Sequence, residues 1–459
     1  MAKPHYNVRK IGESGAEMKR LAINGLLKWK HEENRKPLII QGARQVGKTW
    51  VMREFGRRHY EKHAYINFED NPQMERLFSL SLKPDRLVEG LSAYSGVPID
   101  ENTLIIFDEV QAVPRALTSL KYFNENAPQY HIVAAGSLLG VALHPGTSFP
   151  VGKVGFMDLR PLSFSEFLCA IGHERYAEIL ESGDVDLIGT LRPELIDLIK
   201  KYMFVGGMPE AVAQYAQSRD YSTVREIQRT ILASYENDFS KHAPYNIVPR
   251  IRMLWHSIPK QLAKENRKFV YGLVKEGARA REYEIAIAWL VDCGLVHKIN
   301  RVSSGRFPLK AYEDMNSFKL HMADTGLLCA LSGIGPGVLI DGDKLFTDYK
   351  GAITEQLALQ QLICAGIAPF YWSSERSSGE VDFVFQSDTD IVPLEVKAAE
   401  NLQAKSLRFF TEKYKIENAV RTSLSDFRRE TWLVNLPLYM LEGIKRYLPA
   451  RSAAGNGPL

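Results

Sequence analysis

The stretch Leu38-Ile39-Ile40-Gln41-Gly42-Ala43-Arg44-Gln45-Val46-Gly47-Lys48-Thr49 decides the fold of this chain. Its apolar beginning predicts a buried strand, the glycine-rich segment Gly42 to Thr49 follows directly, and Lys48 to Tyr60 predict a helix. Glycines in such a loop allow backbone N–H groups to face an anion, and the helix N-terminus adds a favourable dipole. The stretch therefore predicts a phosphate-binding site at the edge of an α/β sheet.

The spacing of this segment, G-x-x-x-x-G-K-T, suggests a task for each residue. Lys48 is predicted to meet the β and γ phosphates of ATP, and Thr49 to place its hydroxyl on magnesium, which prefers oxygen ligands. The predicted backbone cradle of ATP comprises Gly42, Ala43, Arg44, Gln45, Val46 and Gly47, together with Lys48 and Thr49. Since the string also arises by chance, its position between a strand and a helix carries the prediction.

A second apolar strand ends in two acidic residues. The run Thr103-Leu104-Ile105-Ile106-Phe107 precedes Asp108 and Glu109, which puts both carboxylates at the sheet edge where α/β folds bind ligands. Asp108 is expected to hold the metal ion through water, and Glu109 to orient and polarise the attacking water. The alternative is that the two acids only cap the next helix. The pair favours a hydrolysing enzyme over a passive nucleotide binder.

Two further apolar runs extend the predicted sheet. Ala64 to Phe68 and His131 to Ala135 are separated by segments long enough for helices, which is the alternation of a parallel α/β sheet. Ser137 follows the last run and is a candidate sensor of the γ phosphate or of water, with an ordinary turn or helix cap as the alternative. Arg160 is a weaker candidate for supplying transition-state charge, because a cation at a strand end is more often solvated.

The rest of the chain divides by periodicity. Helical spacing predicts a lid, and helices followed by the strand-like runs Leu295 to Ile299 and Leu309 to Tyr312 suggest a winged helix. A helix over Gly351 to Ala365 and three later strand-like runs predict a separate small α/β domain. The predicted divisions are a leader and helix at 1–36, an ATPase core at 37–160, a helical lid at 161–240, a winged-helix-like domain at 241–340, a small C-terminal domain at 341–450 and a disordered tail at 451–459.

Composition places the chain among ordinary globular proteins. A net charge of +4, from 58 basic and 54 acidic residues, permits a nucleic-acid partner without demanding one. The four cysteines lack the spacing of a zinc site or a disulfide framework. Neither an apolar signal core nor an uninterrupted membrane-spanning run is visible, so we expect a cytoplasmic protein without a membrane partner.

The C-terminal region contains a second set of charged residues. Glu355 falls on a predicted helix, Asp382 on the strand-like run Glu380 to Phe385, and Glu395 and Lys397 project from one face of the next strand. Asp382 and Glu395, with Glu355 nearby, are predicted to share a second divalent metal, and Lys397 to align or deprotonate a water molecule. This is a phosphodiester-cleaving arrangement, with solvated strand charges as the alternative.

The ordered phrases of the chain resemble a known family, the bacterial and archaeal AAA-type ATP-binding proteins with a restriction-endonuclease-like C-terminal domain of unassigned function. The phrases are Gly42 to Thr49, Phe107 to Gln111, Ala135 to Ser137, Arg160 to Phe164 and Val205 to Glu210. The resemblance implies an AAA/ASCE-type parallel sheet as the P-loop NTPase core. It also implies that Gly207 and Pro209 lie over the nucleotide and report its state, with a plain turn as the alternative.

The C-terminal set resembles the PD-(D/E)XK nuclease superfamily, although no proline precedes Asp382 as the name requires. The resemblance implies an ATP-hydrolysing switch that controls a nuclease-like domain engaging DNA or RNA. The alternative is an ATP-gated DNA-binding or protein-interaction regulator whose nuclease-like domain cuts nothing. Self-association is compatible with either reading. Basic residues that suit phosphate contacts in the winged helix are Lys268, Lys275, Arg279, Arg281, Arg301 and Arg306, and a solvated surface is the simpler reading.

Overall fold

The computed structural model describes residues 18–136, 152–264, 267–337, 347–374, 379–387, 390–398 and 404–448. Its helices are α1 Ala22–Lys30, α2 Lys48–His59, α3 Pro72–Leu80, α4 Pro84–Ser95, α5 Pro114–Asn126, α6 Phe164–Ala170, α7 Glu174–Ser182, α8 Val185–Thr190, α9 Arg192–Val205, α10 Pro209–Ser218, α11 Tyr221–His242, α12 Val248–Leu262, α13 Tyr271–Val274, α14 Ala280–Asp292, α15 Thr325–Leu331, α16 Thr347–Cys364, α17 Lys405–Tyr414 and α18 Ile444–Tyr447. Its strands are β1 Leu38–Gln41, β2 Lys62–Asn67, β3 Thr103–Asp108, β4 His131–Ala135, β5 Gly155–Asp158, β6 Val296–Val302, β7 Glu313–Met322, β8 Phe370–Ser373, β9 Glu380–Ser387, β10 Asp390–Val396, β11 Ala419–Ser423, β12 Arg428–Arg429 and β13 Leu433–Pro437.

The first sheet has five strands in the order β2-β3-β4-β1-β5, and each neighbouring pair is parallel. Every residue of β3 is buried, as its continuous apolar run requires of a central strand covered on both faces. Strand β1 lies between β4 and β5, so the loop after it emerges beside the carboxyl end of its neighbour β4. The predicted parallel α/β core is confirmed.

Helices α6 to α11 follow the first sheet in the region predicted to be a lid. Helix α6 begins at a capping box, in which the Ser163 hydroxyl accepts from the Glu166 amide and the Glu166 carboxylate accepts from the Ser163 amide. Helix α11 extends over 22 residues from Tyr221 and is capped by Asp220, whose carboxylate accepts from the amides of Ser222 and Thr223. These caps fix where the helices begin.

The second sheet has eight strands in the order β12-β13-β11-β10-β9-β8-β6-β7. Strands β6 and β7 form a hairpin in the region predicted to be winged-helix-like, and β6 also pairs in parallel with β8 of the C-terminal region. The predicted winged-helix-like and C-terminal domains thus share one sheet. A predicted boundary near residue 340 therefore does not interrupt the pairing of strands.

One predicted strand is wrong. Leu309–Tyr312 forms a 3-10 helix, and the second strand of the hairpin is Glu313–Met322. A short apolar run cannot be distinguished from a helical turn by its periodicity, and this run was too short for length to decide. Strand β7 therefore contains Lys319 and His321, and both side chains are fully buried.

Helix α16 is unusual in the polarity of its buried residues. Polar side chains on this helix that are buried include Thr354, Glu355, Gln356, Gln360 and Gln361. Buried polar groups are costly unless they find partners. The position of this helix is therefore tied to the hydrogen bonds that its side chains make, which are described with the sites below.

No helix in the described part of the chain has both the length and the apolar character needed to cross a membrane.

The cysteines Cys169, Cys293, Cys329 and Cys364 are free thiols.

Candidate functional sites

The loop between β1 and α2 has a backbone that depends on glycine. Gly42 has φ of 145° and Gly47 has φ of 92°, and Gln45 also has a positive φ of 67°. A Cβ atom at Gly42 would stand 2.1 Å from the carbonyl oxygen of Leu159, on the strand side of the loop. No side chain fits there, so the close approach of the loop to the strand β5 region requires glycine at this position.

Lys48 opens helix α2 and its ammonium group lies within the loop. Nζ donates to the carbonyl oxygens of Gly42 at 2.9 Å and Ala43 at 2.8 Å. Burial lowers the pKa of Lys48 to about 8, although the nearby carboxylates of Glu109 and Asp108 favour its charged form. A polyphosphate bound at this helix N-terminus would lie close to the ammonium group. Its negative charge would stabilise the charged form of the lysine, which burial disfavours.

Asp108, at the end of β3, faces Thr49 at the start of α2. Thr49 Oγ1 donates to Asp108 Oδ2 at 2.7 Å, and the Tyr65 hydroxyl donates to the same oxygen at 2.8 Å. Burial raises the pKa of Asp108, against the effect of these two hydrogen bonds. The hydroxyl and carboxylate oxygens converge as the donor set of a magnesium ion does, so these residues fit that ion.

Glu109 follows directly and has a left-handed backbone, with φ of 50°. Gln111 Nε2 donates to Glu109 Oε2 at 2.5 Å, which fixes the carboxylate. Glu109 precedes the short 3-10 helix Val110–Ala112, yet its side chain makes no capping hydrogen bond there. The geometry therefore gives no support to the alternative that Glu109 serves as a helix cap.

Arg20, which the sequence did not indicate as a site residue, holds the loop in place. Arg20, before α1, donates to the Val46 carbonyl at 3.0 Å and to the Arg160 carbonyl at 2.7 Å, and pairs with Glu166 at 3.1 Å. This arginine is 6% exposed, so its guanidinium is committed to these contacts. It joins the N-terminal helix, the loop and the lid. No spacing in the sequence links positions so far apart.

Helix α11 contacts the loop from the lid side. Arg44 Nη1 pairs with Asp238 Oδ1 at 2.5 Å, and the Tyr235 hydroxyl donates to the Arg44 carbonyl at 2.8 Å. The turn at Gly294 also touches the loop, since a Cβ there would stand 3.2 Å from the Ala43 amide nitrogen. The nucleotide loop is thus contacted by the lid and by the segment that precedes β6.

The lid turn carrying Gly207 and Pro209 lies close to the loop. A Cβ built on Gly47 would lie 3.5 Å from Pro209 Cγ. Gly207 is held between two partners: its carbonyl accepts from the Leu162 amide at 2.6 Å, and its own amide donates to Asp324 Oδ2 at 2.6 Å. Pro209 thus lies beside the last glycine of the loop, and the position of Gly207 and Pro209 over a bound nucleotide stays a prediction.

Two other candidates have different outcomes. Ser137 lies outside the described residues. The Arg160 side chain donates from Nη1 to the carbonyl of Ile363 on α16 and lies 3.7 Å from Asp158. The side chain thus contacts the end of α16, so the suggestion that it supplies charge to the nucleotide finds no support in this geometry.

The C-terminal set gathers around Glu355, which is fully buried on α16. Lys319 Nζ lies 3.0 Å from Glu355 Oε1, and Arg267 Nη1 pairs with Glu355 Oε2. Burial alone would raise the pKa of Glu355, but the charges of Arg267 and Lys319 lower it to about 2. The helix glutamate is therefore an anion neutralised by two cations from the preceding region of the chain.

The other predicted ligands have partners of their own. Asp382 Oδ2 accepts from the Val396 amide at 2.7 Å, and its Oδ1 lies 3.6 Å from Arg267. Burial, followed by the negative charges of Glu355 and Glu395, raises the pKa of Asp382 well above its usual range. Lys397 Nζ donates to Glu395 Oε1 at 2.6 Å, in agreement with their expected common face.

These contacts do not fit a divalent metal. In the described ranges, no group of three His, Cys, Asp or Glu side chains is arranged to hold a metal ion. Around Glu355, the positive charge that a metal would bring is already supplied by Arg267 and by Lys319, which also pairs with Glu380 at 2.5 Å. The second divalent metal predicted for Glu355, Asp382 and Glu395 is therefore not supported. The spacing of the acids in the sequence could not reveal these ion pairs with cationic side chains.

Basic residues of the winged-helix-like region differ in their surroundings. Arg301 pairs with Asp314 at 3.0 Å and is largely buried. Lys275, Arg279, Arg281 and Arg306 are exposed. These four side chains reach solvent, whereas Arg301 is engaged within the hairpin.

The strand-loop-helix geometry, with Lys48, Thr49 and Asp108 converging at one sheet edge, defines a P-loop nucleotide-binding domain. Residues 34–168 match the family described as AAA domain. This part of the chain therefore has the fold of a P-loop NTPase domain and is similar to AAA domains. Residues 196–337 and 350–439 match two families described as domains of unknown function, DUF8612 and DUF4143. No curated protein matches the chain.

Solved structures resemble the chain at low identity. A Walker-type ATPase of Pyrococcus abyssi is 15% identical, with a TM-score of 0.42, and the match covers 69% of this chain and 96% of that one. The ORC1 protein of Aeropyrum pernix, solved in complex with DNA, is 17% identical with a TM-score of 0.29, over 68% and 90% of the two chains. The RuvB Holliday junction branch migration motor of Thermotoga maritima is 14% identical with a TM-score of 0.28, over 64% and 94%. Values this low say nothing about what the present chain binds.

Proposed function

We propose that the chain is an ATP-hydrolysing switch in which the nucleotide state of the loop Gly42 to Thr49 governs the C-terminal region. The observation that carries the proposal is the 2.7 Å contact between Thr49 Oγ1 and Asp108 Oδ2, with Glu109 next in the chain. Passive nucleotide binding needs the loop alone. A carboxylate fixed beside the metal-binding pair is the further feature that hydrolysis needs.

Each residue has a role that follows from its contacts. Magnesium, when bound with ATP, supplies positive charge to the phosphate oxygens. Thr49 would hold the ion through its hydroxyl and Asp108 through water, and Lys48 would exchange its hydrogen bonds to loop carbonyls for bonds to phosphate oxygens. Glu109, oriented by Gln111, accepts a hydrogen bond from the attacking water and polarises it. The backbone N–H groups of the loop bind the remaining phosphate charge.

Phosphate release tests the ATPase. Wild-type protein with magnesium is expected to turn over ATP, Lys48→Ala to lose both binding and turnover, and Glu109→Gln to keep binding while turnover falls by about 100-fold or more. Arg57→Ala, an exposed change on the same helix, is the matched control and should leave turnover unaltered. Absence of turnover in the wild type, or turnover undiminished in Glu109→Gln, would remove the proposal.

For the C-terminal region, the ion pairs of Glu355 favour a non-cleaving module that binds nucleic acid or protein over an active nuclease. Arg267 and Lys319 already neutralise the acid that a metal-dependent nuclease would use. We expect plasmid and single-stranded substrates to stay intact with magnesium or manganese, and binding to change in Glu395→Ala. Cleavage that needs Glu395 and a divalent metal would reverse this preference.

Engagement of nucleic acid is tested through the ATPase. A polymer that binds the ATP-bound form more tightly strengthens ATP binding by the same factor. Turnover at subsaturating ATP is therefore expected to rise when DNA or RNA is added. Charge reversal at the exposed Arg279 and Arg281 should reduce that stimulation without changing basal turnover. A stimulation that survives both changes would exclude this surface, and no effect of either polymer would favour a protein partner.

A further inference from the structure

The lid turn beside the nucleotide loop and helix α16 are joined by one buried carboxylate. Asp324 is fully buried just before α15 and accepts from the Gly207 amide at 2.6 Å through Oδ2. The same oxygen accepts from Gln360 Nε2 of α16 at 3.3 Å. Oδ1 accepts from the Leu327 amide at 3.0 Å and thereby caps α15. Three separate elements therefore meet at this one side chain.

Gln360 is fixed from both ends of its amide. Its Oε1 accepts from the Thr325 amide at 2.9 Å, and its Nε2 also donates to the Tyr202 hydroxyl at 2.9 Å. One turn earlier on α16, Gln356 makes two hydrogen bonds with the backbone of Met322, at 3.0 Å and 2.6 Å. The end of β7 and the start of α15 are thus bonded to α16 along a continuous line.

The space around the lid turn leaves little room for independent movement. A Cβ at Gly206 would stand 2.2 Å from Asp324 Oδ1, and one at Gly326 would stand 2.5 Å from the Val205 carbonyl oxygen. On the other side, Pro209 lies against Gly47 of the nucleotide loop. A shift of the turn in response to the phosphates must therefore move Asp324 or break its hydrogen bonds.

We propose that Asp324 is a positioning residue that transmits the nucleotide state from the turn Gly206 to Pro209 to helix α16 through Gln360. The proposal rests on the ATP switch proposed above and names its route. Glu355 lies five residues before Gln360 on the same rigid helix, so a displacement of Gln360 along the helix axis also displaces Glu355 against Lys319 and Arg267.

The chain offers a matched pair of variants on α16. Gln360→Met removes the amide that bonds Asp324 and keeps the side-chain length. Gln361→Met removes a neighbouring buried amide that donates instead to the Leu438 carbonyl at 2.9 Å. Both changes remove a buried amide from the same helix, and only the first cuts the proposed route. Gln360→Glu is a second variant, which keeps an acceptor for Thr325 and places a carboxylate against Asp324.

The readout is hydrogen–deuterium exchange of the full chain, with peptides from 322–331 and 352–364 compared with and without a non-hydrolysable ATP analogue and magnesium. In wild type and Gln361→Met, the analogue is expected to change exchange in both peptides by about fivefold, at the lower end of common coupling strengths. In Gln360→Met and Gln360→Glu, the change in 352–364 should vanish, while analogue affinity and basal turnover stay within about twofold of wild type, since neither variant touches the nucleotide loop.

The outcomes separate this inference from the proposed ATPase. A nucleotide-dependent change in 352–364 that persists in both Gln360 variants overturns the route, as does its absence in a wild type that turns over ATP. Loss of the change in Gln361→Met as well would indicate general loosening of α16 and also overturn it. Failure of the wild type to turn over ATP overturns the proposed function itself.

Discussion

Lys319 Nζ lies 3.0 Å from Glu355 Oε1, and neither side chain reaches solvent. Lys319 also pairs with Glu380, and although burial opposes its charge, the two glutamates raise its pKa well above its usual value. His321, on the same strand, is fully buried nearby, and burial lowers its pKa to about 3. The lysine rather than the histidine therefore balances the buried glutamate at neutral pH.

Removal of Lys319 should be costly to folding. Lys319→Met leaves Glu355 with one cation fewer in a buried site, and breaking such a pair typically costs about 3–5 kcal/mol. Urea unfolding is the measurement, and the double variant Lys319→Met/Glu355→Leu should recover part of the loss. The control is Arg408→Ala, which breaks an exposed pair with Glu412 and should cost about 0.5 kcal/mol. Equal losses in the two single variants would contradict the burial argument.

Binding of ATP should take up a proton at Lys48. Its pKa is lowered to about 8 by burial, and the phosphates favour the charged form, so the bound-state pKa is higher. Between these two values binding is accompanied by protonation, and affinity falls as the pH rises through about 8. The proton uptake is measured by calorimetry near the pKa of free Lys48, at roughly pH 8.5. The titrations are repeated in buffers of different ionisation enthalpy. Lys48→Arg, whose guanidinium stays charged, should bind without it. Uptake unchanged in that variant would assign the proton elsewhere.

Tyr65 should contribute to the metal-dependent step. Tyr65→Phe removes the 2.8 Å hydrogen bond to Asp108 Oδ2 and leaves the bond from Thr49. One such bond is worth about 1 kcal/mol, so turnover should fall by about fivefold, and the half-saturating magnesium concentration should change more than the KM for ATP. Tyr94→Phe, which affects an exposed hydroxyl bonded to Asn71, is the control and should have no effect. Identical kinetics in both variants would show that the hydrogen bond from Tyr65 to Asp108 does not contribute to turnover.

Gly207 should tolerate no side chain. In Gly207→Ala the new Cβ would stand 2.2 Å from the Leu162 carbonyl oxygen and 2.8 Å from its amide nitrogen. Backbone atoms cannot yield as a flexible side chain can, so we expect a loss of about 2 kcal/mol or more in the free energy of unfolding. ATP affinity should fall with it, because the turn beside Gly47 is displaced. Gly189→Ala, where nothing stands within 4 Å, is the matched control and should stabilise slightly. Similar melting temperatures for both would contradict the prediction.

Local patterns in the sequence predicted the nucleotide site because its residues are close along the chain. Gly42 to Thr49 form one loop, and Asp108 and Glu109 end one strand, so a single rule about parallel strands brings them together. Spacing likewise predicted the common face of Glu395 and Lys397. The length of strand β7 was missed, because the short apolar run Leu309–Tyr312 satisfies both a strand and a helical turn.

Tertiary structure alone decided what surrounds these residues. Arg20 reaches the loop and the lid from positions 26 and 146 residues away, and Lys319 reaches Glu355 across 36 residues. Such pairs depend on the path of the whole chain, so no periodic pattern in the sequence predicts them. The acids of the C-terminal region were visible as a candidate metal set, but the cations that neutralise Glu355 were not. Sequence thus determined the residues of the predicted nucleotide loop, which are close along the chain, whereas packing determined that the C-terminal carboxylates meet lysine and arginine.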